Sequence, residues 1–252
     1  MQHITLLFEP VSGRIHGRYI TARGLHGLLF AVLRQANRAE ADWLHNYHAP
    51  KPFSLAALYD QRGDLVGLRL AAMVERVGEL FLSTFESLAN RGDVLQLGRY
   101  QNFKIQEVAC SAGFTFADFA LVSAKPTMSL NFLSPTAFKQ GPGHLPLPLP
   151  INVFQWPFRV WQGFAPAGMR LPDSWLDWCQ QEIFVIEHQI QTATIAVSQQ
   201  ESFTGFVGRV RFQAHDQTED YLQIWQALGY LATFSGVGHK TTMGLGTVDY
   251  LE

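Results

Sequence analysis

The strongest constraint on the fold is the order in which the hydrophobic spacing changes along the chain. Apolar residues that recur every three or four positions are typical of one helix face, whereas alternation is typical of a half-buried strand. In the first half these patterns alternate as strand–helix–strand–strand–helix–strand, which is the order of a ferredoxin-like domain. The predicted elements are strands over 3–8, 53–58 and 65–74, one or two strands over 94–108, and helices over 22–38 and from Val77 to Leu88, the second ending at Asn90 and Gly92.

The second half repeats the same order of elements without a literal sequence repeat. Its predicted elements are strands over 120–133, 183–197, 203–213 and 247–251, helices over 151–164, 172–179 and 222–232, and a loop over 140–150. Pro157 predicts a kink or a restart in the first of these helices. We therefore expect an α+β protein of two tandem ferredoxin-like (RRM-like) domains, 1–122 and 123–252.

The composition excludes several classes of protein. Hydrophobic residues make up 47% of the chain and charged residues 16%, against a usual charged share of about 25%, so a disordered chain is excluded. The net charge of -2 argues against general polyanion binding but leaves room for a local basic stripe. No apolar run approaches the ~18 residues of a membrane span, and no signal peptide is evident, so we expect a cytoplasmic protein without a membrane partner.

The two cysteines lie too far apart to indicate a disulfide framework or a zinc-binding pair. They are Cys110 and Cys179, and neither belongs to a C-x-x-C motif. A reducing cytoplasm fits this usage, and no metal site is predicted.

A Gly-rich segment near the C-terminus could contact phosphate groups. It runs from Ser235 to Gly246 and has His239, Lys240, Thr241 and Thr242 between its glycines. Glycines allow a ligand to approach the backbone closely, and a lysine beside clustered N–H groups favours phosphate oxygens. It is not a nucleotide P-loop, because that motif needs Gly immediately before Lys. Phosphate contact and a plain loop before the last strand both remain open.

A His-rich segment near the N-terminus offers groups for acid–base chemistry. It spans 44–53, is expected to be a loop, and contains His45, Tyr47, His48 and Lys51. Histidine is the usual general acid or base near neutral pH, and lysine can stabilise developing negative charge. Metal binding by the two histidines would need further ligands, and an ordinary solvated loop is the third interpretation.

Four stretches together resemble the CRISPR-associated repeat-RNA endoribonucleases of the Cas6 family, within the repeat-associated RNA-binding superfamily. They are Leu44-His45 followed by Lys51-Pro-Phe-Ser-Leu55, then residues 131–139, 205–212 and 234–246, which occur in the family's order. The last stretch is similar to the family's C-terminal Gly-rich signature and is the most specific of the four.

The resemblance implies metal-independent cleavage of precursor crRNA within each repeat, without a cofactor. The 2′-OH of the ribose beside the scissile phosphate would attack in line, leaving a 2′,3′-cyclic phosphate and a 5′-OH. His45 occupies the place of the family's catalytic histidine, as base or acid, and Lys51 that of a helper lysine; His48 and Tyr47 are the other candidates. Some members contribute an aromatic hydroxyl from the first helix, where this chain has Phe30, so that Tyr47 or His26 could take that place.

The same resemblance implies that repeat RNA binds mainly to the second domain. The candidate contacts are Gly236, Gly238, His239, Lys240, Thr241, Gly244, Gly246, Lys139, Arg209 and Arg211. For Arg209 and Arg211 the alternative is the solvent face of an alternating strand whose Val210 and Phe212 face the core.

Two other functions remain open at this point. The chain could be a non-catalytic repeat-binding subunit of an effector complex, or an assembly subunit that contacts other Cas subunits. A second copy of the chain, forming a homodimer, is a further candidate partner. The His-Lys segment favours the nuclease, because an assembly role does not require it.

Overall fold

The computed structural model describes residues 1–98, 101–119 and 121–251, and these form two compact units. Unit 1 comprises Met1–Gly113, Ile195–Ser202 and Thr242–Gly244. Unit 2 comprises Phe114–Thr194, Phe203–Thr241 and the chain from Leu245 onward. The boundary between the units falls after Gly113, whereas the sequence predicted it after residue 122. Phe119 belongs to unit 2, where its ring packs against Trp161 at 5.8 Å between ring centroids. Residues 99, 100 and 120, which belong to two of the predicted strands, lie outside the described residues.

Unit 1 has the predicted ferredoxin-like order with one additional helix, and the region over 94–108, predicted as one or two strands, contains two. Its sheet has the order β2-β3-β1-β5-β4, with antiparallel neighbours. The elements are β1 (Gln2–Pro10), α1 (Ala22–Ala36), α2 (Arg38–Asn46), β2 (Phe53–Tyr59), β3 (Leu65–Ala72), α3 (Glu75–Arg91), β4 (Leu95–Leu97) and β5 (Gln101–Cys110).

The core of unit 1 lies between this sheet and the apolar faces of α1 and α3. Leu25, Leu29 and Val32 of the predicted α1 face are buried, as are Ile4 and Leu6 in the central strand β1. Helix α3 ends where the sequence predicts it: Gly92 adopts φ 67°, a left-handed conformation that glycine reaches without steric cost.

The expectation of a loop over 44–53 is wrong for its first residues, because α2 continues to Asn46. The helix begins after Asn37, whose side-chain oxygen accepts a hydrogen bond from the Glu40 N–H at 3.2 Å. This Asn-x-x-Glu spacing is a recognised signature of a helix start. His45 therefore lies in the last turn of a helix rather than in a loop, and its backbone position is fixed by helical hydrogen bonds.

Unit 2 contains the second ferredoxin-like arrangement, and its sheet has the order β11-β6-β10-β9. The predicted fold class is thus confirmed. The elements are α4 (Phe116–Phe119), β6 (Thr127–Thr136), β7 (Phe138–Gln140), β8 (Gly143–Leu145), α5 (Pro150–Phe164), α6 (Ser174–Glu182), β9 (Ile183–Ala196), β10 (Ser202–Ala214), α7 (Glu219–Ser235) and β11 (Val248–Leu251).

Two local expectations for unit 2 differ from the structure. Helix α5 continues through Pro157 without restarting. Proline has no N–H, and its presence costs the helix only one backbone hydrogen bond. The predicted loop over 140–150 contains part of the β7–β8 hairpin, which pairs Lys139 with His144. Among the described residues, no helix is long and apolar enough to cross a membrane.

The Asn37 cap predicts a measurable effect on stability. Replacing a capping asparagine by alanine typically costs about 1 kcal/mol, so Asn37→Ala should lower the free energy of unfolding by about that amount, measured by urea denaturation. Asn37→Asp keeps the acceptor oxygen and is the matched control. Equal stability of the two variants would contradict the role of the cap.

Candidate active site

Three aromatic rings from α1 and α2 meet on unit 1. His26 and Phe30 lie one turn apart on α1, with ring centroids 4.7 Å apart. The His45 ring stands edge-on to Phe30 at 5.0 Å and lies 6.1 Å from the His26 ring. Phe30 is buried and His45 is exposed. The His26–Phe30–His45 cluster therefore presents two imidazoles against an apolar wall.

A hydrogen bond to the backbone fixes the tautomer of His26. Its Nδ1 lies 2.9 Å from the carbonyl oxygen of Thr242, which also belongs to unit 1. A carbonyl oxygen only accepts hydrogen bonds, so Nδ1 carries the proton and donates it to the bond. The neutral ring then has its lone pair on Nε2, which is the atom a general base needs.

The surroundings of His26 favour its neutral form. Burial lowers the pKa of His26 most; the hydrogen bond to Thr242 raises it, and the charges of His45 and Lys51 lower it further. The net result is a pKa below the ordinary value for histidine. His26 is thus available as a base at neutral pH.

The Lys51 side chain caps the C-terminal end of α2. Its ammonium donates to the carbonyl oxygen of His45 at 2.6 Å and lies 3.4 Å from that of Leu44. The last carbonyls of a helix have no partner within the helix, and a cation is stabilised there by the helix dipole. Burial lowers the pKa of Lys51. The lysine therefore holds the backbone that carries His45 and places a positive charge beside the cluster.

Tyr47 and His48 have surroundings of their own, and their catalytic roles stay predictions. The Tyr47 ring stands edge-on to Trp43 at 5.4 Å, and His48 is an exposed residue after α2. Conversely, the sequence offered His26 only as one substitute for the missing hydroxyl. The available signal was its spacing of four residues from Phe30 on an otherwise apolar helix face.

Close contacts explain why the Gly-rich segment contains glycine at several positions. A Cβ at Gly246, where φ is 67°, would lie 1.9 Å from the carbonyl oxygen of Val237. One at Gly238, where φ is 86°, would lie 2.7 Å from that of Ala137. Gly244 adopts φ 92°, and it follows the helical turn Thr241–Met243. Gly238 and Gly246 thus have a packing role, and the contact of these glycines with RNA stays a prediction.

Among the candidate RNA contacts of unit 2, His239 belongs to a pair of hydrogen-bonded histidines. His144 Nε2 and His239 Nδ1 are 2.8 Å apart and the two rings are stacked. His144 is the cross-strand partner of Lys139 in the β7–β8 hairpin, and its ring also contacts Phe203 at 4.9 Å between centroids. His144 was not among the residues that the sequence indicates, because the hairpin that presents it was expected to be a loop.

Arg209 and Arg211 lie on the exposed side of β10. Val210 and Phe212 alternate with them and are fully buried, which is the strand pattern given above as an alternative. Exposure leaves both guanidinium groups accessible to RNA. Within the described residues, no group of three or more His, Cys, Asp or Glu side chains is arranged to hold a metal ion.

The packing role of Gly246 can be separated from the cost of its left-handed backbone. Gly141 has φ 55° and open space around it, so Gly141→Ala carries only the conformational cost. Gly246→Ala should be less stable than Gly141→Ala by about 1–3 kcal/mol, measured by urea denaturation. Equal losses in the two variants would refute the packing role.

Solved structures of Cas6 proteins are similar to this chain over nearly their whole length. The chain superposes on a Cas6 (TTHB231) product complex with TM-score 0.84 and 24% identity, covering 100% of each chain. A Cas6 (TTHA0078) substrate mimic complex gives TM-score 0.77 and 23% identity over 99% of each chain. Thermus thermophilus Cas6 (TTHB231) gives 0.75 and 23%, covering 99% of this chain and 98% of the other. These similarities establish the fold.

Two comparisons use the sequence alone. No curated protein matches the chain. Residues 130–248, which include most of the second sheet and the Gly-rich segment, match the family model described as CRISPR-associated endoribonuclease Cas6. The resemblance to the Cas6 family that the sequence indicates is therefore confirmed.

Proposed function

We propose that this protein cleaves precursor crRNA within its repeats, using the two imidazoles of the His26–Phe30–His45 cluster. The reaction is an attack of the ribose 2′-OH on the adjacent phosphorus, leaving a 2′,3′-cyclic phosphate and a 5′-OH. The observation that carries this proposal is the placement of two histidine rings 6.1 Å apart, one of which has its tautomer fixed by the Thr242 carbonyl.

His26 acts as the general base in this proposal. With Nδ1–H bound to Thr242, the Nε2 lone pair can take the proton of the 2′-OH. Burial lowers its pKa, so the neutral form predominates at pH 7. Because the nucleophile belongs to the same nucleotide as the phosphate, its effective concentration is already high, and proton transfer is the help that it needs.

His45 acts as the general acid. Protonated His45 gives its proton to the 5′-oxygen as the phosphorus–oxygen bond breaks. Its exposure to solvent allows it to regain that proton from water after each turnover. General acid–base catalysis of this kind contributes about 10²–10⁴-fold. The Lys51 ammonium, which caps α2, adds positive charge near the phosphorane.

The comparisons with solved structures support the proposal that the substrate is RNA from CRISPR repeats. The Cas6 structures similar to this chain include a product complex and a substrate mimic complex. We assign the same class of substrate, CRISPR repeat RNA, to this protein, with Lys139, His239, Lys240, Arg209 and Arg211 as contacts for its backbone. DNA lacks the 2′-OH, so it can bind but cannot be cleaved by this mechanism.

Cleavage of end-labelled repeat RNA in excess EDTA tests the proposal directly. Wild-type protein should cleave and give cyclic phosphate ends. His26→Ala and His45→Ala should each lower the single-turnover rate by about 10²-fold or more, while His188→Ala, an exposed histidine on β9, should cleave like wild type.

Three outcomes would contradict this assignment. Loss of all cleavage in EDTA would exclude the metal-free reaction, and wild-type rates for either variant would remove that histidine from its role. Tight binding of repeat RNA without any product would instead favour the non-catalytic repeat-binding subunit.

The lowered pKa of His26 predicts the pH dependence of cleavage. The base is active when neutral, and because its pKa lies below the ordinary value of about 6.5, the rate should fall only when the pH drops through that lower value. Lys51→Gln removes a charge that lowers this pKa, so the acid limb of the pH–rate profile should move to higher pH.

The matched control is Lys125→Gln, which removes an exposed lysine in unit 2. Its acid limb should coincide with that of the wild type. NMR titration of the His26 ring, identified by its loss in His26→Asn, gives the same pKa without relying on activity. An acid limb that Lys51→Gln leaves in place or moves to lower pH would contradict the electrostatic coupling.

A further inference from the structure

A pocket that combines polar and apolar side chains lies on unit 1 where the loop after β1 meets the start of α1. Its cavity volume is about 300 Å³, at the lower end of the range for small-molecule sites. Its lining includes Arg14, His16, Tyr19 and Gln101, and no acidic side chain of the described residues lines it. None of these residues has a role in the proposed cleavage.

A buried carboxylate orients the two basic groups of this pocket. Asp64 is 8% exposed; its Oδ1 lies 2.9 Å from His16 Nδ1 and its Oδ2 lies 3.5 Å from the Arg14 guanidinium. A carboxylate only accepts hydrogen bonds, so His16 Nδ1 carries the proton, and Nε2 of the neutral ring can accept a hydrogen bond from a ligand hydroxyl. The guanidinium has five N–H donors, more than the Asp64 carboxylate can occupy, so donors remain for an anion.

An exposed aromatic ring stands beside these groups. Tyr19 is 64% exposed, its ring lies edge-on to His16 at 6.1 Å, and the Arg18 guanidinium is 4.6 Å from its centroid. Exposed tyrosines that adjoin arginines are typical stacking surfaces for nucleobases. The pocket thus combines donors for a phosphate with a surface for a base.

We propose that this pocket binds one ribonucleotide. Its phosphate accepts hydrogen bonds from the Arg14 guanidinium, His16 Nε2 accepts one from a ribose hydroxyl, and its base stacks on Tyr19. The volume suits a single nucleotide, which is either free in solution or one residue of an RNA strand. The proposal concerns binding only and does not depend on cleavage at the His26–Phe30–His45 cluster.

Isothermal titration of the full chain with AMP tests the proposal. Wild-type protein should bind AMP saturably with a stoichiometry of one, and adenosine, which lacks the phosphate, should bind more weakly. Arg14→Gln should weaken AMP binding by about tenfold, since it removes the charge-assisted hydrogen bonds to the phosphate. Tyr19→Ala should weaken it by about tenfold through lost stacking.

Arg38→Gln is the matched control, because Arg38 is an arginine on α2 whose side chain is 86% exposed. It should bind AMP like wild type. A tetraribonucleotide added to the AMP complex identifies the source of the ligand: displacement of AMP assigns the pocket to an RNA strand, and retention of AMP assigns it to a free nucleotide.

Absence of saturable AMP binding by the wild type would overturn the proposal. Wild-type affinity in both Arg14→Gln and Tyr19→Ala would overturn it as well. Neither result bears on the proposed cleavage, which is measured separately with repeat RNA, and a protein that fails to cleave can still bind AMP here.

Discussion

The candidate active site depends on one hydrogen bond, from His26 Nδ1–H to the carbonyl oxygen of Thr242 at 2.9 Å. It joins a helix of the N-terminal half to a turn near the C-terminus, and the chain contributes Thr242–Gly244 to unit 1 although Thr241 and Leu245 belong to unit 2. The bond decides which ring nitrogen of His26 has the lone pair. Without it, either tautomer would be available, and the ring would lack a fixed orientation relative to His45.

The Gly-rich segment makes this geometry possible through its backbone rather than through its side chains. Gly246 and Gly238 lie where a Cβ would collide with a carbonyl oxygen, so larger residues would force the segment onto another course. The signature that resembles the Cas6 family therefore has a structural explanation within this chain. Its contribution to the proposed chemistry is the Thr242 carbonyl, a group that every residue type carries and that no motif can identify.

The sequence predicted the two ferredoxin-like sheets and the course of α1, because the apolar face of Leu25, Leu29 and Val32 repeats with helical spacing over several turns. It missed α2, whose only buried residues are Ala41 and Leu44, too few to create a periodic signal; the start at Asn37 was visible in principle. His45 and Lys51 could be proposed because they lie near each other in the chain. His26 could be named only as a substitute for a missing hydroxyl, and its tautomer could not be predicted, because its partner Thr242 is 216 positions away and acts through its backbone.

The central claim is that His26 removes the proton from the 2′-OH and His45 supplies one to the 5′-oxygen. A repeat RNA with sulfur in place of the bridging 5′-oxygen at the scissile bond tests it, because a thiolate leaves without needing a proton. The account predicts that this substrate restores single-turnover cleavage by His45→Ala to near the wild-type rate and leaves His26→Ala slow. Rescue of His26→Ala instead, or of neither variant, would contradict it.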